Sequence, residues 1–197
     1  YDVCLEKNRI YFGMGGTPTP FIRDVETGEF RRPTKKDFAD ATRLGDALPN
    51  MSFLMAISGV FDVPYQAEYL HEYEAMFSNT EKPIIYPAPG SVSAKGVLEM
   101  ATAISGGMDE LRRRPILSLY VETVSPLVMF GPDETFIDGA EAGIPITLGP
   151  GPIMGAAAPG TIAGTVLVAN CENLAAMTLT QLVKKGAPII YTCGCST

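Results

Sequence analysis

Glu122 closes the run Leu117-Ser-Leu-Tyr-Val-Glu122, and in an extended segment successive side chains point to opposite faces. Leu117, Leu119 and Val121 then fall on one side, and Ser118, Tyr120 and Glu122 on the other. A carboxylate beside an aromatic face attracts a cation. The plainer reading pairs the glutamate with an arginine and gives the tyrosine hydroxyl a backbone partner. Tyr86 and Tyr191 stand near the ends of two other β-rich runs and carry the same two readings. The most unusual segment is Gly149-Pro-Gly-Pro-Ile-Met-Gly-Ala-Ala-Ala-Pro-Gly160. Gly155 and Ala156 expose backbone and leave room for a ligand to come close. Thr161 follows at the start of a helical stretch, where free amides favour an anionic group. A tight turn that needs small residues for packing would read the same way.

Other chemistry-bearing residues point less far. Cys193-x-Cys195 suits a metal or a redox pair, but a lone C-x-C with a single histidine in the chain cannot complete a four-ligand zinc site. No metal is expected. Cys171 falls at helical spacing with Ala163, Leu167, Leu174, Thr178 and Leu182, which predicts a buried small hydrophobe. His71 stands amid Glu68, Glu72 and Glu74, opposite an apolar stripe, and reads as solvent-facing. Arg112-Arg113-Arg114 reads as a solvated run before a strand. No predicted strand ends in a Schiff-base lysine: Lys82 precedes its strand, and Lys184 and Lys185 end a helix. Gly13-Met-Gly-Gly16 opens into Thr17-Pro-Thr-Pro20, which cannot start a helix, so it is no nucleotide loop.

The elements that must position these groups alternate. Two small hairpins are predicted in residues 1–33, from Val3 to Phe12 and from Phe21 to Arg31, as an appendage before the main fold. From Thr34 onward, helices near 34–48, 64–77, 93–105, 133–142 and 160–185 separate strands near 53–57, 83–88, 116–122, 144–148 and 187–192. Such alternation means parallel strands with helical crossovers. The strands are apolar runs, as expected where both faces are covered. An open doubly wound sheet and part of a closed barrel fit this pattern equally. The main unit spans 34–197.

Hydrophobic residues make up 46% of the 197 and charged ones 19%, enough for a real core and against disorder. A net charge of −7 argues against nucleic acid or an anionic membrane as partner. No uninterrupted apolar run approaches the roughly 18 residues of a membrane helix, so a cytoplasmic protein is expected. The chain starts without Met and stops just after a predicted strand, so both ends read as cut.

Several ordered segments carry a resemblance. They include Tyr11-Phe-Gly-Met-Gly-Gly-Thr17, Asp24-Val-Glu-Thr-Gly-Glu29, Phe38-Ala-Asp-Ala-Thr-Arg-Leu-Gly-Asp-Ala-Leu-Pro-Asn50, Ile116-Leu-Ser-Leu119 with Val124-Ser-Pro-Leu127, and Ala142-Gly-Ile-Pro145. The most specific stretch runs from Pro152 to Gly164 and on to Glu172-Asn-Leu-Ala175 and Gly186-Ala-Pro188. Nearly the whole chain, in order and with matching gaps, resembles the trimethylamine methyltransferase family.

The resemblance implies a (β/α)8 barrel, here about five β/α units of it, with flanking parts of the longer protein lying outside these residues. It implies transfer of a methyl group from trimethylamine, or from a quaternary amine such as glycine betaine, to the Co(I) of a corrinoid carried by a partner protein. Some family members carry pyrrolysine in the barrel, at a position expected beyond Thr197. In a barrel, Glu122 would sit at the C-terminal mouth, where active sites lie. It would serve there as the catalytic carboxylate, with Tyr86, Tyr120 and Tyr191 around a methylated ammonium. Gly155, Ala156 and Thr161 would form a lip facing the corrinoid. A homo-oligomer is expected. The rival readings are a lyase or aldolase on the same fold, and a non-catalytic scaffold.

Overall fold

The computed structural model describes residues 3–16, 18–128 and 134–196. Its first helix shows how local sequence sets an element. Thr34 accepts from the Asp37 amide, and the Asp37 carboxylate accepts in return from the Thr34 amide, so the two satisfy the free donors of the first turn. Helix α1 (Lys35–Ala47) then buries Phe38, Thr42 and Gly45. Arg31 donates both to Asp37, at 2.7 and 2.8 Å, and to Asp24, at 2.9 Å. Those bonds tie the helix start to an antiparallel hairpin of β2 (Ile22–Arg23) and β3 (Phe30–Arg31).

Six parallel strands make up the sheet: β1 (Phe12–Met14), β4 (Met51–Leu54), β5 (Ile84–Tyr86), β6 (Leu117–Val121), β7 (Ile146–Leu148) and β8 (Ile189–Tyr191). Their order is sequential, and the sheet curls into a half-barrel. Between them lie α2 (Glu68–Phe77), α3 (Ser91–Ser105), α4 (Met108–Arg113), α5 (Thr135–Ala142) and α6 (Ile162–Val183). Asp133, at the predicted start of α5, lies outside the described residues. The alternation predicted from sequence is the observed one, and partial barrel is the right fold class.

Two features differ from the sequence reading. The sequence predicts five parallel strands and two hairpins; among the described residues the parallel sheet has six strands, and one two-stranded hairpin stands beside it. Phe12–Met14 pairs in parallel with Met51–Leu54, nearly forty residues later, instead of folding back on Val3. Nothing local signals such a distant pairing. The second difference is α4, a helix the sequence reading does not place; Arg112, Arg113 and Arg114 at its end are exposed, as expected of a solvated run. Arg112 pairs with Asp109, and its Nε donates to the Ala142 carbonyl at 2.6 Å, which joins α4 to the end of α5.

All six helices pack on the convex face. Leu54, Ile84, Leu117, Leu119 and Ile144 meet Phe38, Tyr73, Ala94, Val97 and Leu111 there, while Val121, Ile146 and Leu148 meet Phe136, Ala140 and Ala176. Helix α6 turns over the expectation for Cys171. Its buried residues are Thr165, Ala169, Glu172, Asn173, Ala176 and Thr180. The predicted stripe faces outward: Cys171 is exposed, with Leu167 61% and Leu182 77% accessible. Apolar residues occupy both sides of this helix, so spacing alone could not choose the buried one. By length and composition α6 is also the one helix among the described residues that could cross a membrane, with Glu172 and Asn173 interrupting it.

Candidate active site at the carboxyl ends of the strands

The predicted alternation along β6 holds. Leu117, Leu119 and Val121 are buried toward the helices. Ser118, Tyr120 and Glu122 take the concave side, where Ser118 Oγ lies 2.7 Å from Thr147 Oγ1 of β7. Tyr120 and Thr147 are register partners, and Thr147 is in turn partnered with Ile190. The Glu122 carboxylate stands near enough to the Tyr120 hydroxyl to act on it. Burial first, and then the neighbouring Glu122 carboxylate, push the phenol up to about 12. Tyr120 therefore stays protonated near neutrality, and Glu122 lies exposed just past the strand end. The next strand fits around the ring: a methyl group on Gly149 would stand 2.1 Å from Tyr120 Oη.

Tyr86 and Tyr191 do not join this pair. Tyr86 is the register partner of Leu119, and Tyr191 of Leu148, so both point to the helical side. The Tyr86 ring packs among Phe38, Tyr69 and Tyr73, and its hydroxyl donates to Glu72 of α2 at 3.0 Å. Tyr191 donates to Asn170 of α6 at 2.9 Å. A cation held by Tyr120 on the concave face cannot touch either ring through the sheet.

The glycine- and alanine-rich loop lies at the same end as Glu122, since it begins at Gly149 beside Tyr120. Met154 and Ala158 bridge across a turn in which Gly155 adopts φ +79°, a conformation that suits glycine. Gly155 and Ala156 are exposed, and a Cβ on Gly155 would meet nothing within 4 Å. The loop is pinned to the segment after β8: Gly194 N–H donates to Pro150 O, Ser196 N–H to Pro152 O, and Met154 N–H to Ser196 O. Thr161 caps α6, its hydroxyl accepting from the Gly164 amide at 3.1 Å. One of the amides expected to face an anion is thus already occupied.

Of the buried carboxylates among the described residues, Glu72 and Glu172 are the most deeply buried, and both escaped the sequence reading. Glu72, placed by sequence on an outward face, is 1% exposed, and burial pushes its carboxyl up to about 8. The Tyr86 hydroxyl and the nearby Val60 amide oppose that rise. Its neighbour His71 is half-buried, its Nδ1 3.0 Å from Lys35 Nζ, and so is not simply solvent-facing. Glu172, also 1% exposed, accepts from Thr123 Oγ1 at 2.6 Å, Ser125 Oγ at 2.9 Å and the Leu127 amide at 2.8 Å. A charged residue inside an otherwise apolar helix was the available signal for Glu172, because a buried charge needs partners.

Among the described residues no group of three or more His, Cys, Asp and Glu side chains gathers to hold a metal. Cys193 and Cys195 hold their sulfurs 2.7 Å apart on the exposed rim. A cavity of about 690 Å³, lined by Leu5, Phe53, Pro83, Ile116 and Pro145 among others, lies at the opposite, amino end of the strands. It is remote from Glu122.

The family model described as trimethylamine methyltransferase (MTTB) matches residues 1–197. The chain is 37% identical over 191 residues to the trimethylamine methyltransferase MttB of Desulfitobacterium hafniense (strain DSM 10664 / DCB-2), covering 96% of this chain and 38% of that protein. It is 28% identical over 195 residues to the glycine betaine methyltransferase of D. hafniense (strain Y51), covering 96% and 40%. With the trimethylamine methyltransferase MttB of Methanosarcina barkeri it shares 29% identity over 160 residues, 80% of this chain and 32% of the relative. The chain thus spans well under half the length of these relatives. With the family match running from its first residue to its last, the chain belongs to the trimethylamine methyltransferase (MTTB) family.

Proposed function

We propose that the protein containing this chain removes a methyl group from a methylated amine, trimethylamine or a quaternary amine such as glycine betaine, and delivers it to a corrinoid carried by a partner protein. The observation that carries the reading is the Tyr120–Glu122 pair on the concave face at the strand ends, where barrel enzymes keep their active sites. A methylated ammonium has few or no N–H groups to donate, so a carboxylate and an aromatic face are its natural partners. Glu122 supplies the charge. Tyr120, kept neutral, stands near that carboxylate and adds its ring face.

The rim fits a broad, flat group arriving from outside. Gly155 and Ala156 are exposed, small, and open to solvent. When bound, the corrinoid supplies the Co(I) nucleophile for an in-line displacement. The chain's own residues fix the amine so that one methyl faces outward across this rim, and the nitrogen keeps the electron pair of the broken C–N bond. Rate gain on this scheme comes from positioning and electrostatics, with no proton transfer required of Glu122.

The test uses the full-length protein. Trimethylamine and glycine betaine are titrated by calorimetry, then each is assayed for methyl transfer to Co(I) cobalamin. Binding and transfer of one of them, both weakened in Glu122→Gln, is the expected result. Absence of binding by either amine would overturn the reading in favour of a scaffold, and binding that Glu122→Gln leaves untouched would move the site elsewhere.

A further inference from the structure

The segment that follows Glu122 is gripped from beneath by a single side chain. Residues 123–127 form a tight turn closed by Val124 and Val128, which exchange both backbone hydrogen bonds at 2.9 Å. Leu127 has φ +58°, which a side-chain-bearing residue rarely adopts without support. Inside the turn lies the Glu172 carboxylate, taking the Thr123 hydroxyl, the Ser125 hydroxyl and the Leu127 amide. All three of these donors come from one five-residue segment, and it starts at the residue after Glu122. The adjacent Asn173 donates to the Thr192 carbonyl at 2.8 Å and so holds the segment after β8. Consecutive residues of α6 therefore secure the mouth on both sides of β7.

Packing alone would not call for this arrangement. A carboxylate loses its hydration when buried, and only well-placed donors offset that cost. Here the donors belong to the backbone stretch that follows Glu122, while Tyr120 stands near Glu122 on the strand side. We propose that Glu172 is a positioning residue: through the 123–127 turn it fixes the direction in which Glu122 presents its carboxylate to a methylated ammonium. The proposal rests on the reading of Glu122 given above.

The experiment is a double-mutant cycle in the full-length protein, with trimethylamine and glycine betaine as probes. Glu172→Ala should speed amide exchange at Leu127 and weaken binding of the preferred amine roughly 10- to 100-fold, since small misplacements of a binding group have effects of that size. Glu172→Gln should restore most of the affinity, because its amide oxygen can take the Leu127 amide and its NH2 can donate to the two hydroxyls. In a Glu122→Gln background, Glu172→Ala should cost little more, as expected for groups acting through one another. Full additivity would overturn the proposal, as would unchanged exchange at Leu127. If Glu122→Gln alone leaves affinity intact, the reading of Glu122 fails first, and Glu172 then braces a turn that aims no ligand group. That outcome also overturns the proposal, by a route the exchange data separate from the others.

Discussion

The Tyr120 hydroxyl lies over Gly149 of the neighbouring strand end so closely that a methyl group there would fall 2.1 Å from the oxygen and 2.3 Å from Cζ. Glycine at this point is a condition for the ring position, and the ring position sets where the hydroxyl lies relative to Glu122. Gly149→Ala must therefore push the ring aside, at a cost of about 1–3 kcal/mol typical of overpacking. Thermal melts of the single and double variants check this. Tyr120→Ala in the same chain should relieve the clash, so the double variant should be more stable than the sum of the two losses implies. Equal, additive losses would mean that the ring and Gly149 are not in contact.

Glu72 makes stability depend on pH. Its carboxyl is pushed from about 4.5 up to about 8, chiefly by burial. Between these values the folded chain holds a proton that the unfolded chain has released. Stability from this group is therefore fully present below the lower value and falls as pH rises toward the upper one, by at most about 1.4 kcal/mol per pH unit. Glu72→Gln keeps an acceptor for Tyr86 and removes the titration. Its melting temperature in the full-length protein should match the parent near about pH 5 and exceed it near about pH 8, reducing the parent's slope. A variant less stable than the parent at both pH values would sink the assignment.

The site was legible where the sequence itself distinguished the two faces of a strand. In β6 polar and apolar residues alternate, so the side on which Tyr120 and Glu122 fall follows from the pattern. β5 and β8 both read Ile-Ile-Tyr, apolar throughout, and their parity depends on register with neighbours: Tyr86 beside Leu119, Tyr191 beside Leu148. Such register is a non-local quantity, and both tyrosines were accordingly misplaced. α6 posed the same difficulty in helical form. Its buried side is chosen by loops that need Glu172 and Asn173, while Leu167, Leu174 and Leu182 lie outward. Parallel strands and crossovers, which depend on composition and spacing along the chain, came through almost intact. The exception was β1, whose partner is distant.

Expressed alone, residues 1–197 should self-associate. β1 and β8 stand at the two edges of the six-stranded sheet, with backbone groups free to pair with another chain. The outer side of α6 adds exposed Leu167, Leu174 and Leu182. Sedimentation velocity over a range of concentrations should show the mean mass rising with concentration. A monomer with a sharp, concentration-independent melt would count against the edges as the cause.

The rim loop allows amine binding and methyl delivery to be separated. Ala156 is exposed in a turn whose backbone is fixed by Gly155 N–H to Ala158 O and by Ala156 N–H to Ile153 O. A larger side chain at 156 can therefore be carried without disturbing the turn, and it would project from the surface instead of into the core. Tyr120 on the strand and Glu122 just past its end, flanked by Gly149 and the 123–127 turn, do not depend on the bulk at 156. Ala156→Leu should leave amine affinity in the full-length protein within about twofold of the parent, as expected for a surface change of a few tenths of a kcal/mol. Delivery to the corrinoid protein should suffer far more, because a leucine holds two macromolecular surfaces apart where small residues let them close. Comparing transfer to the carrier protein with transfer to free Co(I) cobalamin isolates that step: the first should fall and the second should hold. An equal loss in both would place Ala156 against the amine, and no loss in either would remove the loop from the docking surface.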